Sequence, residues 1–182
     1  MIKIRLAKTD EWVFIKKNAD EIYLKNEKEF WKSNYFRISK EDCISAINNR
    51  ELFVLSNSSE IFGFVIIKKL NAESLTFSML TVIEKHQKKG YGQKMLDFIF
   101  NKSKKENITQ IFLEILCAKN WNHPQKEFLI RWYSDCGFIY NKSYSFEKLY
   151  PTHKKYMNCE LIFKQYIKKI MPPKIYSEIA IL

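Results

Sequence analysis

In the stretch LTVIEKHQKKGYGQKMLDFIF, residues 80–100, Gly90 and Gly92 stand two apart between an apolar run and a pattern with helical spacing. The chain has only four glycines, so a pair in one turn marks a backbone that has to come close to something. A strand ending near Ile83, a short polar turn and a helix beginning near Gly92 aim several unpaired backbone N–H groups at one space. The helix dipole adds positive potential there. Such an arrangement cradles a phosphate, and Lys88, Lys89 and Lys94 add charge at its rim. The same GxG also serves elsewhere as nothing more than a tight turn. The fingerprints GxxxxGK[ST] and strand-GxGxxG do not occur, which sets aside the P-loop and the dinucleotide fold.

Other reactive side chains give weaker patterns. Cys117, Cys136 and His123 invite a Cys–His nucleophile, but Cys136 falls at the end of an amphipathic helix, where a small apolar residue is ordinary. His86, His123 and His153 lack ligand spacing with cysteine or carboxylate, so no metal site is expected.

The elements that must hold these residues alternate between strand and helix. MIKIRLA reads as a strand and residues 10–30 as a helix. SKEDCISAINN opens with a capping signature, Ser39 followed three residues later by Asp42. ELFVLSN and EIFGFVIIKKL, separated by Asn57, Ser58 and Ser59, read as a hairpin, and SLTFSMLTVI as a further strand. After the glycines, Met95, Leu96, Ile99 and Phe100 recur at helical spacing, and KSKKEN closes that helix with cations. ITQIFLEIL is a strand. KEFLIRWYSDCGF is a helix stopped by Gly137, and FIYNKSYSF and NCELIFKQY are two more strands.

With 182 residues and 46% hydrophobic content, the chain is expected to form one compact domain. No segment reaches the roughly 18 to 20 apolar residues of a membrane span, and MIKIRLAKTDEW has no leader pattern. The four cysteines lie far apart, as reduced thiols do, so a cytoplasmic location is expected and no membrane partner. A net charge of +11 favours anions of many kinds, but its lysines are spread along the chain and form no basic arm, which leaves nucleic acid the less favoured partner.

LTVIEKHQKKGYG resembles the acyl-CoA-binding signature of the GCN5-related N-acetyltransferases. Its Q/R-x-x-G-x-G/A is met by Gln87, Lys88, Lys89, Gly90, Tyr91 and Gly92. RWYSDCGF resembles the family's later helix, with Tyr133, then three residues, Gly137 and the aromatic Phe138. The order of elements fits as well, over about residues 1–166, leaving 167–182 as a tail of unknown role. Three departures stand out: Glu84 where the family often has proline, Lys88 where it has glycine, and Lys126 where an asparagine commonly precedes the tyrosine by seven residues.

The resemblance implies an α/β (α+β) single domain. A central mixed, mostly antiparallel sheet of about seven strands would be splayed between strands four and five and flanked by about four helices. It implies acetyl-CoA as acyl donor, lying in the V, with no metal. Backbone at Leu80, Thr81 and Val82 would pair with the pantetheine arm as an added strand does, and Asn120 or Asn122 would stand in for the missing asparagine. Direct attack by an amine needs a base and a proton donor for the departing thiolate. Tyr133 is the expected donor and Glu114, which interrupts the apolar run IFLEIL, the expected base, with Glu73 or a water route open beside it. The acceptor is a small-molecule or peptide amine, and a homodimer is common in the family. Two other readings stand behind this one: an acetyltransferase acting on aminoacyl-tRNA or a ribosomal protein, and a non-catalytic acyl-CoA-binding module.

Overall fold

The computed structural model of the chain describes residues 1–32 and 35–171. Its seven strands are β1 (Lys3–Leu6), β2 (Leu52–Ser56), β3 (Ile61–Lys69), β4 (Ser74–Val82), β5 (Gln110–Ala118), β6 (Ile139–Ser145) and β7 (Leu161–Lys169). They form one sheet in the order β1-β2-β3-β4-β5-β7-β6, with β4 and β5 parallel and every other pair antiparallel. The helices are α1 (Trp12–Asn26), α2 (Lys40–Asn48), α3 (Tyr91–Lys105), α4 (Pro124–Asp135) and α5 (Phe146–Leu149). The expected mixed sheet is therefore present, and the one-turn helix α5 adds a fifth helix to the four anticipated. None of the described helices is long and apolar enough to cross a membrane.

Strand periodicity divides the core between the two sheet faces. On one face Ile111, Leu113, Ile115 and Cys117 of β5 pack with Met95, Leu96 and Ile99 of α3 and Tyr133 of α4. On the other, Leu52, Val54, Phe64 and Ile66 pack with Ile15 and Ala19 of α1 and Cys43 and Ala46 of α2.

Local chemistry sets the turns. Ser39 accepts a hydrogen bond from the Asp42 N–H (2.9 Å), and the Asp42 side chain answers at the Ser39 N–H, closing the capping box expected of α2. Asn57 Oδ1 accepts from the N–H groups of Ser59 (2.8 Å) and Glu60 (2.7 Å), which folds the β2–β3 hairpin. Helix α4 ends in a Schellman motif: Gly137 has φ +86°, its N–H donates to Ser134 O (2.8 Å), and the Phe138 N–H donates to Tyr133 O (3.0 Å). The Lys168 ammonium of β7 caps the same end at Cys136 O (2.8 Å). Strand β7 thus runs three residues past the boundary expected at 166. Ile170 is buried beyond it, its N–H held by Thr109 O (2.8 Å).

Candidate active site

Strands β4 and β5 begin side by side and then part. Their register runs from Ser74↔Gln110 to Phe77↔Leu113 and stops, while β4 stays with β3 to Val82 and β5 with β7 to Ala118. The bend has a local cause. Phe64 pairs with Thr81 and Ile66 with Ser78, so Met79 and Leu80 together oppose Val65, a bulge in which Met79 takes φ +53°. Beyond it, the Ile83 N–H donates to Phe62 O (2.9 Å) across the β3 side. In a pleated strand the next residue back faces the other way, so Val82 directs its N–H and C=O into the gap, and Leu80 does likewise. The Gln87 amide reaches the Val82 carbonyl from that side at 3.1 Å.

The glycine turn closes the gap at the end of β4. Lys88 (φ +61°) and Gly90 (φ +77°) are both left-handed, and Gly90 caps α3. The first bond of the helix runs from the Lys94 N–H to Gly90 O (3.0 Å), which leaves the N–H groups of Tyr91, Gly92 and Gln93 without helical partners. A Cβ on Gly90 would meet nothing within 4 Å, so it is φ, not space, that requires glycine there. At Gly92 a Cβ would lie 3.6 Å from the Trp132 ring and 3.9 Å from Val82 Cγ2, so the missing side chain leaves room directly over the cleft floor. Packing holds this strained turn in place. Met95, Leu96 and Ile99 are fully buried, at about 1.5–3 kcal/mol each, against about 1–2 kcal/mol for a left-handed residue.

The resulting cleft encloses about 660 Å³. Leu80, Thr81, Val82, Gln87, Lys88, Gly90, Tyr91 and Gly92 line it, facing Leu129, Trp132 and the 63%-exposed Phe128 of α4. Lys89 turns away, its ammonium on the Lys85 carbonyl (3.3 Å), and Asn120 is not brought to the cleft at all. β5 carries the chain past the opening, and the Asn120 amide donates to Glu160 at 3.4 Å. Anion-seeking N–H groups, an apolar trough and an unpaired strand edge fit a polyphosphate joined to an extended, amide-bearing arm, which is the form of an acyl-CoA.

Glu114 and Tyr133 stand beside the apex, and neither lines the cleft. Glu114 follows the last paired residue, Leu113, and as an even member of β5 it projects from the face opposite α3 and α4. It is exposed, and both the Tyr144 hydroxyl and the Gln165 amide (3.1 Å) donate to its Oε1. Tyr133 lies 5.8 Å, ring to ring, from Phe77, the other half of that last pair. Only 6% of it is exposed, and burial pushes its phenol well above the usual tyrosine range. It sits behind Trp132 and does not itself line the cleft.

A buried ionic cluster adjoins the cleft. Glu27, fully buried just past α1, accepts from the Arg37 guanidinium (2.8 Å), the Trp31 indole N–H (3.1 Å) and the Lys126 ammonium of α4. Burial works against the carboxylate, but Arg37 and Lys126 outweigh it and hold Glu27 down to about 2. Burial lowers the Lys126 ammonium, with Glu27 opposing. In the sequence Lys126 stands out only as a departure from a pattern, and Glu27, Tyr144 and Gln165 carry no signal. The Cys–His pair does not form: His123 instead caps α4, accepting from the Gln125 N–H at 3.2 Å, and Cys136 Sγ contacts Gln93 (3.7 Å).

A family model described as an acetyltransferase (GNAT) domain matches residues 48–140, a span holding the glycine turn, Glu114 and Tyr133. No protein of curated function matches the chain in sequence. Solved structures resemble it in fold. The ribosomal-protein-S18-alanine N-acetyltransferase from Escherichia coli is 18% identical, with TM-score 0.67, over 96% of this chain and 98% of that one. The PaiA N-acetyltransferase from Thermoplasma acidophilum, in complex with coenzyme A, is 16% identical, with TM-score 0.69, over 93% and 99%. The putative acetyltransferase yncA from Salmonella typhimurium, with acetyl-CoA, is 14% identical, with TM-score 0.66, over 95% and 96%.

Proposed function

The chain belongs to the acetyltransferase (GNAT) family, and from that membership and the cleft we propose that it moves an acetyl group from acetyl-CoA to a primary amine of a small molecule or peptide. One observation carries the reading: the parting of β4 from β5 beside a glycine turn whose helix offers three unpartnered N–H groups. Acetyl-CoA, when bound, supplies an acyl carbon activated as a thioester. The α3 N–H groups and Lys88 receive its phosphates. Val82 and the Leu80 carbonyl pair with the pantetheine amides, and Trp132, Leu129 and Phe128 wall the arm.

The chemistry falls to the two faces of the apex. An ammonium has no free lone pair, so Glu114 takes its proton, held in place by Tyr144 and Gln165. The Leu80 N–H, at the bulge and nearer the apex, meets the negative charge that builds on the carbonyl oxygen. Tyr133, whose buried hydroxyl keeps its proton, donates to the departing sulfur from the opposite face once the Trp132 ring that stands between them turns aside.

Calorimetric titration with acetyl-CoA tests the reading. The parent chain binds, and a folded Gly92→Trp variant, whose indole fills the space beside Trp132, does not. A parent chain that binds no acetyl-CoA removes the basis of the proposal.

A further inference from the structure

Glu27 and Lys126 approach each other from opposite faces of the sheet. α1, which carries Glu27 at its carboxyl end, packs with β2 and β3 on one face, and α4, which carries Lys126, packs against β5 on the other. A side chain on one face reaches the other only where the sheet has no backbone. Between β4 and β5 that condition holds beyond Phe77 and Leu113, and both residues line the cleft that opens there. The Glu27–Lys126 ion pair therefore threads the mouth of the V. Lys126 is 6% exposed and Glu27 fully buried, so solvent does not screen the link.

The segment that Glu27 begins is anchored at its other side to the loop before β7. The Lys32 N–H donates to Tyr156 O (2.7 Å), the Asn158 N–H to Phe30 O (2.8 Å), and the Asn158 amide to Trp31 O (2.7 Å). Trp31 joins the two systems, since its indole donates to Glu27 while its backbone bridges Met157. The segment is thus tied to α4 by the Lys126 ammonium at the buried Glu27, and at the helix start by His123, which approaches Glu29 at 3.4 Å and packs edge-on against Phe30.

We propose that Lys126 is a positioning residue, one that draws residues 27–32 and the loop at 156–158 into register across the open sheet and so sets the aperture through which an amine reaches the cleft. The clause about the amine rests on the acetyltransferase reading. The positioning itself does not.

Amide hydrogen exchange on the ligand-free chain, resolved at Lys32 and Asn158, provides the test. Lys126→Met keeps the length of the side chain and removes its charge. It should speed exchange at both amides by about tenfold or more while amides of the β5–β7 ladder are unchanged, and Lys126→Arg should restore slow exchange. Glu27→Gln/Lys126→Met removes both charges of the threading pair and should show the same local change if the single variant does not fold. Unchanged exchange at Lys32 and Asn158, or an equal acceleration along the whole chain, overturns the proposal. Acetyl-CoA is titrated separately into the parent chain. If the parent binds none, it is the transferase reading that fails, and the exchange result still stands.

Discussion

Glu114 and Tyr133 flank the point where β4 and β5 part, from opposite faces of the sheet. Leu113, just before Glu114, pairs with Phe77, against which Tyr133 packs at 5.8 Å between ring centroids. One is a carboxylate open to solvent, the other a phenol closed off from it.

This arrangement assigns different losses to the two residues. Glu114→Gln should lower kcat by about 100-fold or more, and Tyr144→Phe, which removes a donor to Glu114, by about tenfold. Tyr133→Phe should lower kcat with acetyl-CoA affinity unchanged. Because burial raises the Tyr133 phenol, the parent's rate profile should show no alkaline fall from this group below about pH 10. Steady-state thiol release checks each, and a fully active Tyr133→Phe would mean that solvent protonates the thiolate.

Gly63 supports the cleft from behind. A Cβ there would stand 2.5 Å from the Thr81 carbonyl oxygen and 3.0 Å from Met95 Sδ, and backbone cannot step aside as a side chain can. Gly63→Ala should cost about 1–3 kcal/mol in a denaturant titration and weaken acetyl-CoA binding, since Thr81 forms part of the cleft wall.

Gly90 and Gly92 should separate stability from binding. Gly90→Ala puts a side chain on a left-handed residue and should cost about 1–2 kcal/mol, although the space around it is open. Gly92→Ala meets only ordinary contacts and should leave the melting temperature within about 2 °C of the parent.

Glu27 makes stability depend on acid. Its carboxyl lies near 4.5 when free and at about 2 in the folded chain, so the unfolded state binds the proton more readily. Its stabilising contribution is complete above about pH 5 and fades as pH falls from there toward 2, by up to about 3 kcal/mol. Glu27→Gln should flatten that part of the pH–stability curve in urea titrations, and an unaltered curve would show that other carboxylates govern acid unfolding.

What the sequence disclosed was local. The turn Gln87–Gly92, the Ser39 cap and the helix ending at Gly137 are each written within a few adjacent residues, so periodicity and turn chemistry expose them. Glu27 and Lys126 lie 99 residues apart and meet only because two strands separate, an event no window of sequence contains. Glu114 falls between these cases. Alternation along IFLEIL sets it opposite Leu113 and Ile115, but which face receives an amine depends on where β5 leaves β4. The position of Asn120 was likewise not legible, because the strand before it carries it beyond the opening, to Glu160.

The order β5-β7-β6 also constrains how the molecule can be assembled. Strand β6 is synthesised before β7, yet β7 is its partner in the sheet and separates it from β5. Until residues 161–169 emerge from the ribosome, β6 has no neighbour to join and β5 lacks its long antiparallel ladder. Lys168 arrives with the same strand to cap α4. The half of the protein holding Glu114 and Tyr133 must therefore wait, unfinished, for a segment made well after both, while the β1–β4 half can form on its own schedule.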